Sequence, residues 1–139
     1  MAKMYYKNTD VIIFVYSITD HRSFEEIKNY WYESVKNTSA KMPILAVVAN
    51  KGHKYEYEEV SYEEGESFAH EIGAIFQESS KLSNFGINNL FKNIGKTYLI
   101  PGFDYKKILD DEKEEYLKKK KEYEEIRKKY KKDRKCIIF

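Results

Sequence analysis

The chain has 139 residues, 42% hydrophobic and 35% charged, room for one domain of about 100 residues and an appendage. No apolar run approaches the 18 or so residues of a membrane span, no charged-then-apolar leader opens the chain, and a single cysteine excludes an internal disulfide, so the sequence predicts neither a spanning nor a secreted protein. The net charge of +2 conceals a division: residues 104–135 carry 14 Lys/Arg against 10 Asp/Glu, whereas the first 103 residues are net negative.

In chain order, Met1 to Thr9 is a polar and aromatic lead containing Tyr5-Tyr6. Val11-Ile12-Ile13-Phe14-Val15-Tyr16 is a continuous apolar run of strand length, closed by Ser17-Ile18-Thr19-Asp20. Ser23-Phe24-Glu25-Glu26 has the form of a capping box, and Phe24, Ile27, Trp31 and Val35 follow at helical spacing. A helix over about 22–36 is expected. Ile44-Leu45-Ala46-Val47-Val48-Ala49, behind Pro43 and ahead of Gly52, reads as a strand buried on both faces and hence the middle strand. It runs straight into Asn50-Lys51-Gly52-His53, at the end of a strand where open α/β sheets place their ligands.

The pattern repeats. Ser61-Tyr62-Glu63-Glu64 is a second capping box, and Tyr62, Gly65, Phe68, Ala69 and Ile72 share one face of a helix that Gly73 can end. Ala74-Ile75-Phe76-Gln77 is a short third strand. Ile87, Leu90, Phe91, Ile94 and Tyr98 form the stripe of a third helix, stopped at Pro101-Gly102. Strand and helix alternate three times, which predicts an α/β fold with a three-stranded parallel sheet and right-handed crossovers. Beyond Gly102, Leu109, Tyr116, Tyr123 and Tyr130 recur every seventh residue, but Glu112 and Lys119 interrupt the seam. A long charged helix over 101–135, held by pairs such as Glu114 with Lys118, is expected rather than a coiled coil.

Tyr5-Tyr6, Val11 to Tyr16, Ile18-Thr19-Asp20, Ser23-Phe24, Trp31, Asn50-Lys51, Glu78-Ser79-Ser80 and the terminal Cys136-Ile137-Ile138-Phe139, in this order and spacing, resemble the second half of a Ras-superfamily small GTPase of the Rab branch. The resemblance implies a truncated P-loop-GTPase-like three-layer fold over residues 1–100. It also implies a family role in GTP binding and vesicle trafficking, with GTP or GDP and magnesium as the family's cofactors. Its three strands would be the fourth to sixth of a six-stranded sheet. No glycine here begins the G-x-x-x-x-G-K-[ST] pattern that wraps phosphates. The segments resembling the magnesium-binding threonine loop and the D-x-x-G motif are also missing, so no catalytic residue is assigned and no cofactor is expected on this chain.

The nucleotide-binding residues implied by the resemblance are Asn50, Lys51, His53, Ser79, Ser80 and Lys81, and they are read as vestigial. The family motif is Asn-Lys-x-Asp, whose Asp accepts two hydrogen bonds from the guanine edge. His53 occupies that position, and an imidazole cannot accept two adjacent donors, a loss of roughly 1.5–3 kcal/mol per bond. In place of the third base-contacting motif, Ser-Ala-Lys, stands Ser80-Lys81-Leu82. His21, His53 and His70 lack metal-ligand spacing and are read as surface residues, with no metal site expected.

Cys136 to Phe139 fits a C-a-a-X prenylation signal over 136–139, so Cys136 is the expected lipidation site. A single prenyl chain binds membranes reversibly and needs a second signal. Arg127, Lys128, Lys129, Lys131, Lys132, Arg134 and Lys135 would supply it, each adding about 1 kcal/mol at an anionic leaflet. The expected location is therefore the cytoplasmic face of a membrane, with protein partners and no nucleic acid. The strand at 11–16 is also expected to present an unpaired edge open to self-association.

Overall fold

The computed structural model describes residues 6, 8–80 and 85–103, with isolated positions at 118, 121, 122 and 125. The chain divides into two compact units, Met1–Phe103 and Asp104–Phe139. In the second, Lys118, Lys121, Glu122 and Glu125 are helical. The heptad positions 105, 109, 112, 116, 119, 123, 126 and 130, the basic run 127–135 and residues 136–139 lie outside the described residues.

The first unit is a three-stranded sheet in the order β1-β2-β3, formed by β1 (Val11–Ser17), β2 (Ile44–Asn50) and β3 (Ile75–Glu78). Both pairings are parallel. The expectation of an α/β fold with a parallel sheet and the 44–49 run at its centre is met. Parallel pairing needs a long return, and it is supplied by helix α1 (residues 21–38) between β1 and β2 and helix α2 (Tyr62–Glu71) between β2 and β3. Helix α3 (Phe85–Leu99) follows β3.

Strand register explains the layers. Phe14 lies opposite Val47, and Val47 opposite Phe76, so one row of large apolar side chains crosses the sheet on a single face. Phe24, Ile27 and Val35 of α1 and Phe68 and Ala69 of α2 close over that row, with Phe24 at the centre and wholly buried. Its ring meets Tyr16 at 4.8 Å and Phe68 edge-on at 5.6 Å. The alternate residues Ala46, Val48 and Ile75 are buried on the opposite face, and α3 packs on β2 and β3. This leaves β2 apolar on both sides, which is why its sequence shows no alternation.

Local structure departs from the sequence reading at three places. First, Ser23 is not the cap of α1: Asp20 is, its carboxylate accepting from the Ser23 N–H at 3.3 Å, and the helix starts at His21. The Ser23 hydroxyl donates to the Asp20 carbonyl and accepts from the Ser17 N–H instead. Second, residues Ile27–Trp31 form a π-helical turn, with the Tyr32 N–H reaching the Ile27 carbonyl. The inserted residue advances the buried face by one position. Tyr32 therefore packs on Phe68, ring centroids 6.2 Å apart, while Trp31 is 38% exposed. Third, the buried face of α3 is Leu90, Asn93 and Ile94; Ile87, Phe91 and Tyr98 face outward.

The α2 reading holds. Ser61 caps it by accepting from the Glu64 N–H at 3.2 Å. Its end is a Schellman motif: the Ala74 N–H reaches the Ala69 carbonyl, the Gly73 N–H reaches that of His70, and Gly73 sits at φ 69°. Midway along α2, a side chain at Gly65 would strike the Tyr16 hydroxyl and the Phe76 ring, so only hydrogen fits there.

The buried Tyr16 hydroxyl has no hydrogen-bond partner among the described residues. Burial first, and the Glu78 carboxylate second, hold its phenol well above the ordinary tyrosine value. Because the folded-state value is raised, the protonated phenol contributes fully below the unfolded value of about 10, and stability falls as pH rises beyond it. Tyr16→Phe should flatten that alkaline fall. At pH 7 it should leave stability unchanged or higher by about 1 kcal/mol, since an unpaired hydroxyl is removed. Urea unfolding of both proteins at neutral and alkaline pH measures each effect.

Candidate functional site

The carboxyl ends of the three strands meet around Asn50. Its backbone carbonyl accepts from the Ile18 N–H at 3.0 Å, tying the β1 exit loop to β2. Its side-chain oxygen accepts from the Lys51 N–H at 2.8 Å and from the Ser79 hydroxyl at 3.3 Å, tying in the β3 exit loop. Ser79 completes the bracket with two backbone bonds: its N–H donates to the Ala49 carbonyl at 2.8 Å, and its carbonyl accepts from the Gly52 N–H at 3.2 Å. Both Asn50 and Ser79 were legible in the sequence, and they are brought into direct contact.

Lys51 turns the chain. It takes φ 68°, the left-handed region that costs a non-glycine residue of order 1 kcal/mol, and its carbonyl accepts from the Lys54 N–H at 2.8 Å. Residues Gly52–Tyr57 then form a 3₁₀ segment that contains the backbone of His53, whose side chain lies outside the described residues. Ser80 follows Ser79 at the end of β3, and Lys81 and Leu82 also lie outside the described residues.

Two contributors were missed in the sequence. Glu78 lies in the sheet row Tyr16–Ala49–Glu78, and its carboxylate rests against Gly52 so closely that any Cβ there would overlap it. The signal was its place as the last residue of β3, where a side chain reaches the ligand-facing end of the sheet. The second is the Ile18 carbonyl, which accepts from the N–H groups of Glu59 and Val60 at 2.7 and 3.1 Å and so folds the 52–60 loop back over the β1 exit. Val60, wholly buried, anchors that return. No sequence pattern marks a backbone contact of this kind.

Two of the three histidines lie at the surface as expected: His21 is 3.5 Å from Glu64 with both side chains exposed, and His70 is exposed on α2, while the side chain of His53 lies outside the described residues. Among the described residues there is no group of three His, Cys, Asp or Glu side chains placed to hold a metal. No helix of the described residues is long and apolar enough to cross a membrane.

With that strand-end geometry in place, the chain matches the model of the Ras family over residues 1–100. The chain belongs to the Ras family. Within it the similarity is to Rab proteins: 33% identity over 96 residues to Ras-related protein Rab-21 of Bos taurus, covering 69% of this chain and 43% of that one. The human Rab-21 is likewise 33% identical over 96 residues, with 42% of its length covered. Ras-related protein Rab5A of Oryza sativa subsp. japonica is 32% identical over 99 residues, 71% of this chain and 48% of that one. The chain thus spans less than half the length of these relatives. The Rab-like assignment drawn from the motifs is shown.

Asn50→Ala removes the acceptor that joins two loops and leaves the Lys51 N–H and Ser79 hydroxyl in need of other partners. It should lower stability by about 1–3 kcal/mol in urea unfolding. Lys51→Gly relieves the left-handed backbone and should raise stability by about 0.5–1 kcal/mol in the same assay.

Proposed function

We propose that this chain carries the base-recognition half of a Rab-like small GTPase and works at the cytoplasmic face of a membrane, to which Cys136 and the basic run 127–135 attach it. The observation that carries the reading is the Asn50–Ser79 clasp: Asn50 and Lys51 stand at the carboxyl end of the central strand with Ser79 bonded across to them. In the family resembled, these loops hold the guanine base.

The residues present do not fit a whole nucleoside triphosphate. The sequence holds no G-x-x-x-x-G-K-[ST] segment, so no run of backbone N–H groups and no lysine is provided for the phosphates, which supply the charge-assisted contacts of such a ligand. His53 stands where a carboxylate would receive the base edge. The Asn50 side-chain oxygen is engaged by the Lys51 N–H and the Ser79 hydroxyl. On this reading the 139-residue chain by itself neither holds nor hydrolyses GTP, and its role is to present a Rab-like surface to protein partners of membrane traffic.

The length of the relatives favours a second reading, in which the same residues serve as the carboxyl part of a complete GTPase and the phosphate-binding segment lies upstream. Titration of the 139-residue chain with a fluorescent guanine nucleotide and magnesium tests the first reading. No saturable binding is expected, and His53→Asp should restore none; micromolar binding that adenine nucleotides fail to compete would overturn it. Transcript sequence 5′ of the Met1 codon that encodes G-x-x-x-x-G-K-[ST] in frame would establish the second.

The anchor is tested separately. In cells, intact-mass analysis should show a prenyl adduct that Cys136→Ser abolishes, with the protein moving to the cytosol. Replacing the seven basic residues of 127–135 by Gln should weaken membrane binding further, by up to about 1 kcal/mol for each charge at an anionic surface. A Cys136→Ser protein that stays on membranes in high salt would exclude this mode of attachment.

A further inference from the structure

We propose that residues 51–58 form a flap at the strand-end site that opens as a unit while the sheet stays folded, with Ile18 as the post that holds both of its ends and the Glu59 side chain as its latch. The backbone bonds define the post. At one end of the loop the Ile18 N–H donates to the Asn50 carbonyl at 3.0 Å, and at the other the Ile18 carbonyl accepts from the Glu59 and Val60 N–H groups at 2.7 and 3.1 Å. Loop ends held by one residue lie side by side, as in an Ω-loop. Ile18 is 4% exposed and Val60 wholly buried, so neither shifts without disturbing the core.

Between these ends the loop is lightly held. No described side chain from 51 to 58 belongs to the hydrophobic core, and Lys51, Lys54, Glu56 and Tyr57 are exposed. The Gly52 N–H donates across to the Ser79 carbonyl at 3.2 Å, whereas the Lys54 N–H donates within the loop to Lys51. The backbone is also strained: Lys51 is left-handed at φ 68°, and the 3₁₀ segment Gly52–Tyr57 is two turns that meet at a non-helical Lys54, φ −106° and ψ 38°. Opening releases that strain and exposes little apolar surface, which places the loop at the low-stability end of the fold.

Glu59 secures the closed state. Its Oε2 accepts from the His21 N–H at 2.9 Å, a donor in the first turn of α1 that the helix itself leaves without a partner. The carboxylate also meets the positive end of that helix. The His21 imidazole lies 3.5 Å from Glu64, so the latch sits where α1 and α2 approach each other. With Glu59 released, the far end is held by the Ile18 carbonyl and the buried Val60, and the loop pivots on them. Opening carries Lys51 and Gly52 away from Ser79, and with them the backbone of His53, so the flap gates whatever the strand-end site receives. The motion belongs to the loop and stands apart from whether a base is bound there.

Residue-resolved native-state amide exchange of the 139-residue chain, set beside urea unfolding, tests the proposal. The Gly52 and Lys54 amides should open together, with a common protection that low urea leaves unchanged, and well ahead of the Ser79 amide and those of β2. The open flap lacks the Glu59–His21 bond, as the unfolded chain does. Glu59→Ala should therefore speed exchange at Gly52 and Lys54 by the same factor by which it raises the unfolding constant, about tenfold for one hydrogen bond to a charged group. Glu59→Gln, which keeps an oxygen acceptor, should change both less. Three results would each overturn the proposal: Gly52 and Lys54 protected as strongly as β2, unrelated protection at the two amides, or a Glu59→Ala protein whose Gly52 and Lys54 exchange is unaltered, whether or not its global stability falls.

Discussion

Burial of β2 on both faces is the constraint from which the rest of this unit follows. Ala46 and Val47, adjacent and pointing to opposite faces, are both wholly buried. A strand so placed needs a backbone neighbour on each edge to satisfy its N–H and C=O groups and a helical layer above and below. β1 and β3 supply the edges, α1 and α2 one layer, and α3 the other. At about 25 cal/mol per Å² of apolar surface, these contacts are the main favourable term for a unit of this size. They also fix the end of β2 in space, so the loop beginning at Asn50 starts from a rigid point.

That rigidity is passed outward by short polar links. Asn50 binds the β1 exit through its carbonyl and the β3 exit through its side chain, so three strand ends move as one. Lys51 holds an unfavourable backbone angle within this clasp, and Glu78 closes against Gly52. Strain and close approach gathered in one loop are usual where a fold presents a ligand-binding edge. Ras-family membership places this arrangement at the strand ends of a family fold.

The π-helical turn in α1 shows how far a sequence period can mislead. Phe24, Ile27, Trp31 and Val35 fit a regular helix, but one inserted residue at 27–31 turns Trp31 outward beside Tyr30, ring centroids 5.0 Å apart, and brings Tyr32 onto Phe68. Both Trp31 and Tyr32 are large aromatics, so either could have filled the space and composition does not distinguish them. The capping of α1 is a similar case. Ser23 has the correct spacing to Glu26 for a capping box, yet Asp20 sits where the chain leaves β1 and reaches the free N–H first.

What the sequence determined by itself was whatever depends on neighbours along the chain. The uninterrupted apolar runs announced buried strands, Ser61 and Gly73 marked both ends of α2, and the motif order from Val11 to Ser80 carried the family. Tertiary structure decided what depends on residues distant in sequence. It chose Tyr32 over Trp31 and Leu90 with Ile94 over Ile87 with Phe91, because only the packed sheet defines which side of a helix is inside. It joined Asn50 to Ser79 across 29 residues. It also set which backbone groups of β1 face β2 and which face away, since a strand's hydrogen-bonding direction is fixed by its partner's register and leaves no trace in side-chain pattern.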